Sequence, residues 1–162
     1  MVTKQGFSLI ELIVVMGLIS LLMLAISGIM LMSIVSSNRI RTTTNVKQAG
    51  NYALGQIQGL IRNAKQIVSC NTSNATIVIV NPDGESTTIQ AIEVGLDTRI
   101  SSNSGVYLTS DNLTVPTFSI ECFPDTITPT LIKVSFELKN NSTTAINNPS
   151  LHFETSVSPR NQ

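Results

Sequence analysis

The stretch from Leu12 to Val35 carries no charged side chain, and as a helix rising 1.5 Å per residue it would run about 36 Å, enough to cross the ~30 Å hydrocarbon core of a bilayer once. Beyond Val35 the apolar segments are short, alternate with polar residues and are separated by Pro, Gly, Asn and Ser. The chain therefore reads as one anchor and one soluble part. Glu11 sits at the mouth of the anchor. A central acid in a membrane helix costs about 2.5–3.5 kcal/mol on insertion scales, so this carboxylate calls for a partner or a purpose. The plainer alternative places it at the interface, facing headgroups and water.

The 162 residues have a formal net charge of zero and 12% of them are charged. No basic stripe supports nucleic-acid binding, and no acidic tract forms a solvating tail. The polar surface comes instead from the Ser, Thr, Asn and Gln that are dense from Ser69 onward, a composition closer to an extracytoplasmic domain than to a cytosolic enzyme. Cys70 and Cys122 are the only cysteines. In an oxidising compartment they can pair, removing on the order of 4 kcal/mol of loop-closure freedom; the alternative is two buried thiols acting as small apolar residues.

Lys4 followed by an apolar stretch also describes a secretory signal, but a secretory core is about 7–15 apolar residues and this one is longer, with an acid where the core should begin. Its best small-x-small site, Ala25-Ile26-Ser27, would leave Gly28 to Val35 as a greasy new terminus. The opening residues fit another pattern. Gly6-Phe7-Ser8-Leu9-Ile10-Glu11, with the long apolar helix behind it, resembles the signal of type IV prepilins and type II secretion pseudopilins. That resemblance implies that a membrane prepilin peptidase cuts after Gly6, removes a leader of residues 1–6 and methylates Phe7. It implies a transmembrane helix over residues 7–35 and an extracytoplasmic head. Before assembly the chain would be a single-pass inner-membrane protein with its amino terminus in the cytoplasm, and afterwards part of a cell-surface or periplasmic filament. The implied partners are other pilin or pseudopilin subunits, an inner-membrane platform and a cytoplasmic assembly ATPase.

The same resemblance gives Glu11 a purpose. Cleavage creates an α-amine on Phe7 with a reference pKa of about 7.7–8.0, and the family's glutamate meets the amine of a neighbouring subunit. An unpaired carboxylate in a low-dielectric bundle is penalised, so such pairing rewards the correct axial register. The competing reading is a membrane-tethered binding or adhesion module that does not polymerise. Two departures from the principal-pilin pattern point to a minor pilin or pseudopilin: Gly28 stands where the family commonly has proline, and Cys70 and Cys122 would tie the helix exit to a strand instead of closing a C-terminal loop.

Within the anchor, Gly17, Ser20, Leu24, Ser27 and Gly28 fall on one arc, where small residues let helices approach closely in lipid. Met16, Met23 and Met30 recur at heptad spacing as an adaptable packing stripe. Arg39 and Arg41 follow the anchor and oppose a simple positive-inside orientation, in conflict with the cytoplasmic amino terminus that the resemblance implies. Residues 36–68 read as an amphipathic continuation, with Gly50, Ala53, Ile57, Leu60, Ile61, Ala64 and Val68 on one arc. The joined helix would approach about 90 Å, weakest at the β-branched Thr42 to Thr44.

From residue 69 to 162 the period becomes alternating. Strands are expected at Ala75 to Val80, Ser86 to Val94, Gly105 to Thr109, Thr117 to Cys122, Leu131 to Leu138 and Leu151 to Ser156, with a turn at Pro82-Asp83-Gly84. The expected fold is α+β and pilin-like, a long N-terminal helix packed on one antiparallel sheet. No catalytic constellation and no cofactor site is read. His152 lies in a strand without a nucleophile motif, and Asp83, Glu85, Asp97, Asp111 and Asp125 are scattered turn acids without EF-hand spacing. Asn-x-Ser/Thr triplets at Asn71, Asn74, Asn112 and Asn141 arise easily in such a composition.

Overall fold

The computed structural model describes residues 8–103, 105–124, 129–141 and 149–160. It divides into two compact units, Met1–Ile40 and Arg41–Gln162. One helix, α1 (Leu9–Asn63), supplies the described part of the first unit and opens the second. Eight strands follow among the described residues: β1 (Gln66–Asn71), β2 (Thr76–Val80), β3 (Ser86–Val94), β4 (Asp97–Ser101), β5 (Leu113–Thr114), β6 (Phe118–Phe123), β7 (Leu131–Asn140) and β8 (Ser150–Val157). The architecture is α+β, with the helix packed against antiparallel β structure.

Where the sequence predicts one sheet, the second unit holds two. The first is a meander in the order β1-β2-β3-β4. In the second, β7 is central: β8 runs along one side, while β6 pairs with Leu131 to Phe136 and the short β5 with Lys139 and Asn140. Turn chemistry sets the meander's register. Gly95, at φ 68°, occupies the first position of the two-residue loop between Val94 and Asp97, where a II′ hairpin needs positive φ. In the Pro-Asp-Gly turn, the Asn81 carbonyl accepts from Gly84 N–H at 3.0 Å and an Asp83 carboxylate oxygen from Glu85 N–H at 2.9 Å.

The core follows from two periods. Along α1, Val46, Gly50, Ala53, Ile57 and Ile61 are buried, steps of three and four that bring one stripe inward. In β2 and β7 every second residue turns inward, as with Ile132, Val134, Phe136 and Leu138 of β7. Phe136 and Phe153 stack with centroids 5.4 Å apart, and Gly50 lies against Phe153, where a Cβ would overlap the ring. The glycine is therefore a packing necessity within the helix.

The helix stops at Asn63, short of residue 68. Lys65 N–H already donates to the Val80 carbonyl at 2.8 Å, so the chain turns into β1. Ile67 is buried in β1 and Val68 is exposed. The β-branched pair fits an extended backbone better than a helix end. The expected strand at Gly105 to Thr109 is reduced to one bridge between Ser101 and Tyr107. The chain turns here: Gly105 has φ 86°, and Thr109 uses its hydroxyl to accept from Ile100 N–H at 3.2 Å.

Candidate anchor and assembly helix

The described part of the first unit begins at Ser8, whose carbonyl accepts from Glu11 N–H at 3.0 Å and Leu12 N–H at 3.2 Å. Glu11 falls in the first turn of α1, where unpaired N–H groups and the helix dipole favour a carboxylate. Its side chain is exposed. Gly6 and Phe7, the expected processing and methylation positions, lie outside the described residues.

Every described residue of this unit is exposed, and its large apolar side chains from Leu9 to Val35 retain 46% to 77% of their surface. Length and composition suffice for a membrane crossing. Such an uninterrupted apolar surface needs a covering medium, lipid or other apolar helices. Two polar groups within it satisfy themselves: Ser20 donates to the Met16 carbonyl and Ser27 to the Met23 carbonyl, each at 2.8 Å. The sequence shows these serines but not their direction, because the alternative is an interhelical hydrogen bond. A Cβ at Gly17 or Gly28 would meet nothing within 4 Å, so the small-residue arc is open.

Residues 1–27 match the family model of the prokaryotic N-terminal methylation motif. This is the prepilin-type signal of type IV pilins and pseudopilins. No curated protein and no solved structure matches the chain. The methylation motif implies processing by a prepilin peptidase and assembly with other pilins. With the apolar helix behind it, it suggests a pilin-type subunit in a family that is structural and not enzymatic.

The second unit holds the remaining sequence candidates. Cys70 of β1 and Cys122 of β6 form a disulfide with Cα atoms 6.5 Å apart, joining the two sheets. His152 is an exposed member of β8, its Nε2 3.7 Å from a Glu154 carboxylate oxygen. Glu154 also meets Lys133 Nζ at 3.1 Å. The hydrogen bond from Lys133 holds the Glu154 carboxyl below the usual carboxylate value, and its acceptance by Glu154 holds the Lys133 ammonium above the usual lysine value. The turn acids do not converge. Asp97 accepts from Asn141 Nδ2 at 2.6 Å, Asp111 pairs with Arg99, and Asp125 lies outside the described residues. Among the described residues no group of three or more His, Cys, Asp or Glu side chains could hold a metal ion.

Arg99 is the polar residue that sequence reading passed over. It is buried in β4, its guanidinium carbon 4.4 Å from the Tyr107 ring centroid, and Nη2 donates to the Thr109 carbonyl at 3.2 Å. Beside it the helix and the 107–110 loop border a shallow cleft lined by Tyr52 and Tyr107, a juxtaposition with no signal in the linear sequence beyond the scarcity of tyrosine.

Proposed function

We propose that the chain is a structural subunit of a type IV pilus-like or type II secretion pseudopilus filament, held in the inner membrane by residues 7–35 and assembled through that helix. The reading is carried by a methylation motif standing at the head of an apolar helix whose described residues from Leu9 to Val35 are all exposed. A prepilin peptidase cuts after Gly6 and methylates Phe7, so residues 1–6 leave and an α-amine appears four residues ahead of Glu11. In the growing filament the Glu11 carboxylate meets that amine on a neighbouring subunit. The pair neutralises two charges that would each be costly alone among apolar side chains, and it does so in one axial register. An inner-membrane platform with its ATPase supplies the motion. The head, residues 69–162, stands on the extracytoplasmic side, where its disulfide is at home.

Mass spectrometry of the mature chain tests the processing step. The expected terminus is a methylated Phe7, and an intact Met1 on filament-borne protein would refute it. Assembly is tested separately with Glu11→Ala, which should insert into membranes as the parent does yet fail to enter filaments. Filaments of undiminished yield from that variant would remove the registry role.

A further inference from the structure

Tyr52 and Tyr107 are the chain's only tyrosines, and both line one cleft of about 440 Å³ together with Gln48, Thr109 and Ser110. That volume lies within the range of small-molecule sites. No charged side chain lines the cleft. Arg99, which lies over Tyr107, is engaged by the Thr109 carbonyl and by Asp111. The lining thus offers the exposed Tyr52 ring, the Tyr107 ring with Arg99 against one face, two phenol hydroxyls, a Ser110 hydroxyl and a Gln48 carboxamide. Among the described residues, the phenols and the carboxamide make no hydrogen bond. Tyr52 keeps 63% of its surface exposed.

The cleft is also built before any ligand arrives. Tyr107 is fixed by its bridge to Ser101 and by the guanidinium against its ring. Leu108 N–H donates to the Ile100 carbonyl at 2.8 Å, and Thr109 is buried with its hydroxyl bonded to Ile100 N–H. Gln48 and Tyr52 stand one turn apart on α1, on a stretch anchored by buried Val46, Gly50 and Ala53. A preformed site costs little ordering on binding.

We propose that this cleft binds a neutral carbohydrate. A sugar ring presents an apolar C–H face for a tyrosine ring and, around its edge, hydroxyls that both donate and accept. Gln48, Ser110 and the phenols both donate and accept in return. An uncharged lining gives no purchase to phosphates, metal ions or charged peptides. A proline-rich peptide would use the aromatic faces but offers mainly carbonyl acceptors, leaving half of the polar lining unmatched.

The chain contains no tryptophan, so tyrosine emission reports on this cleft alone. The experiment titrates full-length protein, in a zwitterionic detergent without a sugar headgroup, with neutral oligosaccharides of glucose, galactose, mannose and N-acetylglucosamine, and in parallel with decaproline. The expected result is a saturable emission change with at least one oligosaccharide. Tyr52→Ala, read from Tyr107, and Gln48→Ala, both exposed positions, should each weaken it about tenfold. No response to any oligosaccharide, a response to decaproline alone, or binding indifferent to Tyr52→Ala would overturn the proposal.

Discussion

Gly50→Ala is the smallest change that tests the packing of α1 against the sheets. A methyl at this position overlaps the Phe153 ring, and the ring has little freedom to withdraw, being 7% exposed and stacked on Phe136, itself 1% exposed. Overpacking of a core usually costs about 1–3 kcal/mol, and the stiffness of this contact places it at about 3. Alanine recovers about 1 kcal/mol over glycine in a helix interior, which leaves ~2 kcal/mol of net destabilisation. For a domain of this size that lowers the midpoint of thermal unfolding by roughly 8 °C. The assay is a melt of the full-length protein in detergent followed by β-sheet circular dichroism, with Gly55→Ala and Gly59→Ala as internal references. A Cβ at either reference position meets nothing within 4 Å, so both should hold or raise stability by up to ~1 kcal/mol. Adding Phe153→Leu to Gly50→Ala should restore part of the loss. If Gly50→Ala melts with Gly55→Ala, the helix does not pack as described.

Replacing Cys70 and Cys122 together by serine should cost up to about 4 kcal/mol by the loop-entropy estimate, checked by denaturant unfolding; thiol labelling of the untreated parent protein at both cysteines would contradict the pairing. Glu154, held low by Lys133, contributes stability that is present at neutral pH and lost as pH falls below the ordinary carboxylate value of 4.5 and through its lowered folded value. Its NMR titration midpoint should therefore rise in Lys133→Gln, and because both groups lie at the surface the difference should shrink in high salt. Arg99→Ala should destabilise by about 2–3 kcal/mol through lost packing and an orphaned carbonyl, whereas Asp111→Asn should cost under ~1 kcal/mol because the Asp111 side chain is 94% exposed. Chemical unfolding of the two variants side by side distinguishes the buried partner from the exposed one.

Much of this fold is legible because its signals are local. The anchor is a matter of apolar length, β3 coincides with its alternating stretch, and Pro82-Asp83-Gly84 turns where turn chemistry says it should. Failures arise where a tertiary partner decides. Ala64 extends the helical arc in sequence, but the Val80 carbonyl captures Lys65 N–H and draws the chain into β1. β4 is hidden because Ile100 is its one apolar residue, and its buried Arg99 is met by Tyr107, Thr109 and Asp111 from the segment that follows, contacts that no local pattern announces. The split into two sheets is invisible for the same reason, since pairing order is a property of the assembled strands. At the anchor, Glu11 and the methylation motif are written in consecutive residues, whereas the self-bonded directions of Ser20 and Ser27 emerge only from the helix geometry.

The bridge between Cys70 and Cys122 also lays down a route for force. A pull along α1 enters β1 directly, and at Cys70 it can pass through covalent bonds to β6 without travelling through the strands between. The 52-residue interval between the two cysteines is thereby shunted out of the load path. Fully drawn, it would amount to ~180 Å of chain that cannot pay out while the bridge is intact. The exposed turns of that interval, such as Pro82-Asp83-Gly84, can vary in sequence without weakening the line along which tension runs, while the buried residues of β2 to β5 remain tied to the core.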